Sequence, residues 1–286
     1  MLFALMLLLA AVKVDVPLGL DTYLPIPSAN PLTVEKVKLG RRLFFEKRLS
    51  KDATISCATC HDPTLAFTDV WPKALGIANR RGEFRSPRIL NRVYGKSFFW
   101  DGRAKSLEEQ VTMPIENPLE MDLALPVAVA RLAMEYEGLT IETMRMALAS
   151  YVRTILAGDS PFDRHVAGNQ RALSDSAKLG LKVFRGKGGC TSCHVGPNLS
   201  DEALHNTGIG AGSFKTPTLR EVARQGPYMH NGSLYTLEDV IDYYDKGGNK
   251  VSGLDPELRE LNLTIAEKVG LIDFLRALSG VIREGL

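Results

Sequence analysis

The chain has 286 residues, 45% of them hydrophobic and 24% charged, with a net charge of +2. That length supports one large domain or two ordinary ones, each with a core of its own. The composition excludes disorder and collagen-like repeats, and 35 basic against 33 acidic residues leave no electrostatic footprint for nucleic acid. No apolar run reaches the roughly 20 residues of a bilayer span, so no stable membrane span is expected.

Leu2–Val12 is an unbroken apolar run of eleven residues, the length of the hydrophobic core of a secretory signal. No basic residue precedes it and no clear small-x-small cleavage site follows Ala10-Ala11, so a buried N-terminal helix is the competing reading. The proline-rich lead from Pro17 to Pro31 reads as an extended linker. Helical signals dominate thereafter. Thr33 opens an amphipathic stretch through Phe45, and Thr140 opens one that runs to Leu156 and is closed by Gly158. Ser174 starts a helix towards Phe184. Ser106-Leu-Glu-Glu109, Thr236-Leu-Glu-Asp239 and Thr264-Ile-Ala-Glu267 have the form of capping boxes, the last opening a helix that ends at Gly280. No series of alternating strand patterns stands out. The predicted class is mainly α with long functional loops.

The two halves repeat each other. Leu39-Gly40-Arg-Arg-Leu-Phe44 returns as Leu179-Gly180-Leu-Lys-Val-Phe184, and Ser86-Pro87-Arg-Ile89 as Thr216-Pro217-Thr-Leu219. Trp100-Asp-Gly102 through Leu107-Glu-Glu109 then aligns without a gap on His230-Asn-Gly232 through Leu237-Glu-Asp239. Three matches in one order indicate a duplicated unit.

All four cysteines fall in two C-x-x-C-H boxes, Cys57-Ala-Thr-Cys60-His61 and Cys190-Thr-Ser-Cys193-His194, one in each repeat. None is left for a disulfide framework. The pattern is the c-type haem attachment signature. Two cysteines three apart on a helical turn reach the two vinyl groups of one porphyrin, and the adjacent histidine puts a nitrogen on the iron. A four-sulfur zinc site is the rival. It would have to join boxes far apart in the chain and would leave both histidines unexplained. The predicted cofactors are two covalently bound c-type haems. Such attachment belongs outside the cytoplasm, which favours a signal segment within residues 1–20 and a periplasmic protein.

A haem with a proximal histidine either takes a sixth ligand and carries electrons or keeps an open position and does chemistry. The gapless alignment that pairs Trp100 with His230 pairs Pro114 with Tyr244. Tyrosine can ligate iron, and proline cannot. Tyr244 is therefore expected to close the second haem while the first stays open. Tyr243 competes one register away, and plain packing of both rings is the bland alternative. Met113 and Met121 are the nearby donors for the first iron, although methionine more often fills a core.

In order, CxxCH, S-P-x-I-L-N, F-W-D-G-R-A-x-S-L-E-E-Q, N-P-x-E-M, a second CxxCH, F-K-T-P-T-L-R, P-Y-M-H-N-G-S and T-L-E-D run from about Leu39 to the C-terminus. The series resembles the bacterial di-haem cytochrome c peroxidase and MauG family. Tyrosine at position 244 is similar to the MauG branch, where the peroxidases carry methionine. The resemblance implies two tandem cytochrome c-like haem domains, here expected at 21–165 and 166–286, with peroxide handled at the first. It implies that Trp100 lies between the haems and that Gln110 and Glu120, beside Pro114, line the distal pocket. His205 and His230 match family positions and read as structural residues or partners of haem propionates; His165 reads as a solvated loop residue. The resemblance also implies a calcium ion between the haems. Its asparagine ligand is here Arg85, which argues against calcium, although the carbonyls of Gln225 and Pro227 remain.

The expected activity follows. Hydrogen peroxide binds at the open haem, Glu120 serves as general acid–base and Gln110 orients the peroxide. Trp100 carries an oxidising equivalent between the irons. Phenolate ligation favours higher oxidation states, so the second haem stores that equivalent and a partner protein is oxidised in the MauG manner. A scavenging cytochrome c peroxidase fed by a small cytochrome or cupredoxin is the alternative. An electron-transfer cytochrome with both irons six-coordinate is the non-enzymatic one.

Overall fold

The computed structural model describes residues 12–286, so the Leu2–Val12 run lies almost wholly outside the described residues. Among these the helices are α1 (Val34–Phe44), α2 (Cys57–Cys60), α3 (Leu107–Gln110), α4 (Met113–Glu116), α5 (Leu125–Leu132), α6 (Ile141–Arg153), α7 (Pro161–Val166), α8 (Asp175–Arg185), α9 (Leu237–Asp245) and α10 (Ile265–Arg276). None is long and apolar enough to cross a membrane. Two small antiparallel sheets complete the fold: β1 (Leu156–Gly158) pairs with β4 (Val281–Arg283), and β2 (Leu204–His205) with β3 (Phe214–Lys215). The chain is mainly helical.

The duplication has a physical expression. α1 packs across α6, and α8 packs across α10. Each crossing is made close by the glycine of the repeat. A Cβ on Gly40 would lie 1.9 Å from the Ala147 carbonyl oxygen, and one on Gly180 would lie 1.8 Å from that of Gly270. The phenylalanines that end the two motifs anchor separate apolar cores. Phe44 meets Tyr151 at 5.2 Å between ring centroids, and Phe184 meets Phe274 at 5.0 Å.

The helix starts follow their caps. Thr33 and Ser174 accept the amides of Lys36 and Ala177, and Thr264 and Glu267 form a reciprocal box, as do Thr236 and Asp239. The expected box at Ser106 forms only in half. Ser106 Oγ accepts the Glu109 amide, but the Glu109 carboxylate turns instead to the Lys105 amide at 2.7 Å. α6 also stops earlier than its apolar pattern, at Arg153. Beyond it Leu156–Gly158 extends as β1, because β4 and the Asn91 side chain, bonded to both backbone groups of Ala157, compete for its hydrogen bonds. α10 likewise ends at Arg276, short of Gly280, since Val281–Arg283 supplies that partner strand.

The proline-rich lead is extended but is no free linker. Leu20 packs with Val93 and Leu156, and Asn30 donates to Glu108 at 2.7 Å and to the Met146 carbonyl at 3.1 Å. A buried ion pair ties the same strap to the second half. Arg220 meets Asp163 through two bonds of 2.7 and 2.9 Å and donates to the Gly19 carbonyl at 2.8 Å. His165 lies in the last turn of α7, half-buried, rather than in a solvated loop; its ring follows the helix that Ser160 and Asp163 cap.

Glycine inside a helix ordinarily costs about 0.5–1 kcal/mol relative to alanine, so Gly180→Ala would stabilise an open helix. Here the opposite sign is expected. Overpacking against a backbone carbonyl should cost about 1–3 kcal/mol, read as a lower denaturation midpoint for Gly180→Ala and for Gly40→Ala.

Candidate functional site

The single turn of α2 places Cys57 and Cys60 on one side, and the His61 amide closes the turn on the Cys57 carbonyl at 2.9 Å. His61 Nδ1 lies 3.2 Å from the Phe67 carbonyl oxygen. A carbonyl only accepts, so Nδ1 carries the proton and Nε2 keeps its lone pair. Burial pushes the ring below the ordinary histidine pKa, which keeps it neutral and able to ligate. The second box repeats the device on a 3₁₀ turn, Cys190–Ser192. His194 Nδ1 donates to the Leu199 carbonyl at 3.0 Å, and burial again lowers its pKa. Phe67 and Leu199, which supply these carbonyls, both sit at positive φ, at 56° and 51°. Each loop is bent so that a carbonyl faces back onto the ring.

Cys57, Cys60 and His61 open onto a cavity of about 520 Å³, within the range of cofactor pockets. The four distal residues expected from sequence, Trp100, Gln110, Pro114 and Glu120, line it too. Glu120 is half-buried, its desolvation raises its carboxyl pKa, and the Asn117 side chain donates to it at 2.7 Å. Trp100 is fixed between the halves. Its Nε1–H donates to the Arg85 carbonyl at 2.8 Å, and its own carbonyl accepts the Lys215 amide at 2.7 Å. Met121 lies on the cavity wall, whereas Met113 packs against the first core.

The two candidate tyrosines differ. Tyr243 donates to the Thr207 carbonyl at 2.7 Å and accepts the Asn249 amide at 3.1 Å, so its oxygen is engaged. The Tyr244 hydroxyl has no hydrogen bond among the described residues, and burial, with the thiols of Cys190 and Cys193 nearby, pushes its pKa up. A half-buried phenol with no hydrogen bond among the described residues, beside the second cysteine pair, leaves its oxygen free to meet a ligand.

Residues 34–171 match the family model described as di-haem cytochrome c peroxidase. The methylamine utilization protein MauG of Methylorubrum extorquens is 39% identical over 89% of this chain and 81% of its own. The chain belongs to the di-haem cytochrome c peroxidase and MauG family. Cytochrome c551 peroxidase of Nitrosomonas europaea is 31% identical over 90% of this chain and 83% of its own. A crystal structure of a MauG-like protein associated with microbial copper homeostasis superposes with a TM-score of 0.83, at 27% identity and 94% coverage of both chains. The chain is thus a haem-dependent enzyme of the peroxidase and oxidase type, with the fold of that family.

The remaining histidines stand apart from the cavity lining. His230 stacks on Phe214 with centroids 3.4 Å apart, and burial pushes its pKa down to about 4. His205 lies between two carboxylates, 2.5 Å from Asp255 and 2.9 Å from Asp201. The cations on the cavity wall were the larger omission from the sequence reading. Arg88, Arg92 and Lys215 line it, with Arg92 and Lys215 sharing the buried carboxylate of Glu202. The legible signal of the two arginines is the run Arg85-Ser-Pro-Arg88-Ile-Leu-Asn-Arg92, three arginines without an intervening acid.

Burial works against a charged His205, but its bonds to Asp255 and Asp201 outweigh that and raise its pKa. A raised histidine pKa gives stability that is complete below about pH 6.5 and is lost as pH rises through the folded-state value. Unfolding of the wild type should show this loss. His205→Asn should flatten it, as followed by denaturant titration across pH.

Proposed function

We propose that the protein attaches two c-type haems covalently and uses hydrogen peroxide at the first to oxidise a partner protein in the manner of MauG. The reading is carried by one contrast. The aligned positions Pro114 and Tyr244 put a side chain without a donor on the first cavity and a half-buried, unengaged phenol beside the second cysteine pair. In each box the two thiols add across vinyl groups, each S–H giving a thioether and a C–H bond. His61 and His194 would each hold an iron through Nε2, and Tyr244 would hold the second iron through its oxygen.

Haem iron, when bound, supplies the redox chemistry and a coordination position for peroxide. The chain's own residues do the rest. Glu120 would take the proton from the near peroxide oxygen and return it to the departing one, and desolvation, which raises its carboxyl pKa, favours the protonated form that this step needs. Asn117 orients that carboxyl, and Gln110 holds the peroxide by hydrogen bonding. Trp100, anchored to both halves, carries oxidising equivalents between the sites. The two tandem haem domains would meet near residue 165, and covalent attachment places the protein in the periplasm. The scavenging alternative has the support of relatives named cytochrome c peroxidase at 31–32% identity.

The holo-protein should show two haems per chain and, in ferric EPR, one high-spin and one low-spin centre. Two purely low-spin signals would exclude the open site and with it peroxide chemistry. Glu120→Gln should slow peroxide consumption by about 10²–10⁴-fold in stopped flow. Tyr244→Met should raise the midpoint potential of the second haem, since a neutral thioether favours the reduced iron. An unchanged potential there would remove Tyr244 from the ligand set. A wild-type second haem of high potential, easily reduced by a small cytochrome, would favour the scavenger.

A further inference from the structure

Arg85 and Arg88 lie together on the cavity wall and reach across to the second half. Arg85 Nη2 donates to Thr68 Oγ1 at 3.3 Å, to the Asp69 carbonyl at 3.2 Å and to the Gly226 carbonyl at 3.4 Å. Arg88 Nη2 donates to the carbonyls of Gln225 and, at 3.5 Å, Val222. Neither guanidinium bonds a carboxylate among the described residues. The nearby acids are committed elsewhere. Asp69 accepts from Ser86 Oγ at 2.6 Å and the Trp71 amide at 3.0 Å, while Glu221 accepts from Arg224 and from the Gly280 amide at 2.6 Å. Tyr228 is the other titratable group facing the pair.

This is where the family resemblance implies calcium, and the residues do not fit it. Calcium takes about six to eight oxygens at roughly 2.3–2.6 Å. Here the Gln225 carbonyl is turned onto a guanidinium. A divalent ion beside it would face two fixed positive charges with no carboxylate of its own. The guanidiniums already feel each other. Burial, then the charge of Arg85, brings Arg88 down to about 10, still charged at neutral pH.

We infer that Arg85 and Arg88 are themselves the cations of this junction, closing the two halves around Trp100 without calcium. Arg85 acts on both sides at once. Its carbonyl accepts the Trp100 indole N–H at 2.8 Å, and its amide donates to the His230 carbonyl at 2.8 Å. Its side chain holds the neighbouring Gly226 carbonyl. The buried Nε of each arginine has no partner in the protein, so both charges also bear on the cavity.

Two measurements on the holo-protein test this. Metal analysis should find far less than about one calcium per chain, with spectrum and Tm indifferent to EGTA and to added calcium. Stoichiometric calcium whose chelation lowers Tm would overturn the inference, whatever the haems do. The second arm rests on the haem reading, so haem content is confirmed first by pyridine haemochrome. Arg85→Met, losing a buried positive charge, should lower the midpoint potential of the first haem, and Arg85→Lys should restore it. Equal shifts in both variants, or none in either, would deny the side chain its role as a cation; absent haem would instead sink the functional reading and leave the calcium result standing.

Discussion

A hydrogen bond from imidazole Nδ1–H to a backbone carbonyl sets the terms for both Cys boxes. It fixes the tautomer and the ring plane of His61 and His194, and so decides which nitrogen each could present to a metal. The carbonyl is not chosen by its side chain. Phe67 and Leu199 share only a left-handed backbone conformation in the loop after the box. Most of the machinery is arranged around this point: a turn to hold two thiols, a loop to aim one carbonyl, and a close helix crossing behind them.

The crossings explain why the boxes are rigid. Gly40 and Gly180 let one helix backbone touch the next, and Phe44 and Phe184, a turn further on, fill the cores behind the boxes. Duplication of this unit yields two similar scaffolds, which differ in a few side chains. On one side Pro114, Gln110 and Glu120 share a cavity. On the other Tyr244 is half-buried with its oxygen unengaged. Polar groups join the halves. Arg220 with Asp163, Arg92 with Glu202 and the Arg85–Arg88 pair each reach across, and each is desolvated, so removing one partner would leave an uncompensated group.

Much of the site was legible because it is encoded locally. The boxes, the glycine-containing helix motif and the caps act over a handful of residues, and the internal repeat gave a register that paired Pro114 with Tyr244. The errors were of another kind. The reading of α6 to Leu156 followed an apolar pattern that Leu156 continues as a strand, since a buried strand and a buried helix end look alike in sequence. The proline-rich lead was read as a linker, whereas Leu20 and Asn30 dock it on the folded core. His165 carried no signal that it would end a helix.

Residue order alone was enough to name the family and to point to haem attachment and unlike axial positions, because thiol, imidazole and phenol chemistry depends on identity and short spacing. Only the folded chain distinguished Tyr244 from Tyr243, since that depends on which hydroxyl already has partners. It also decided that Arg85 meets carbonyls rather than carboxylates. Both outcomes hinge on backbone groups brought from distant segments, and backbone groups are the same at every position in a sequence.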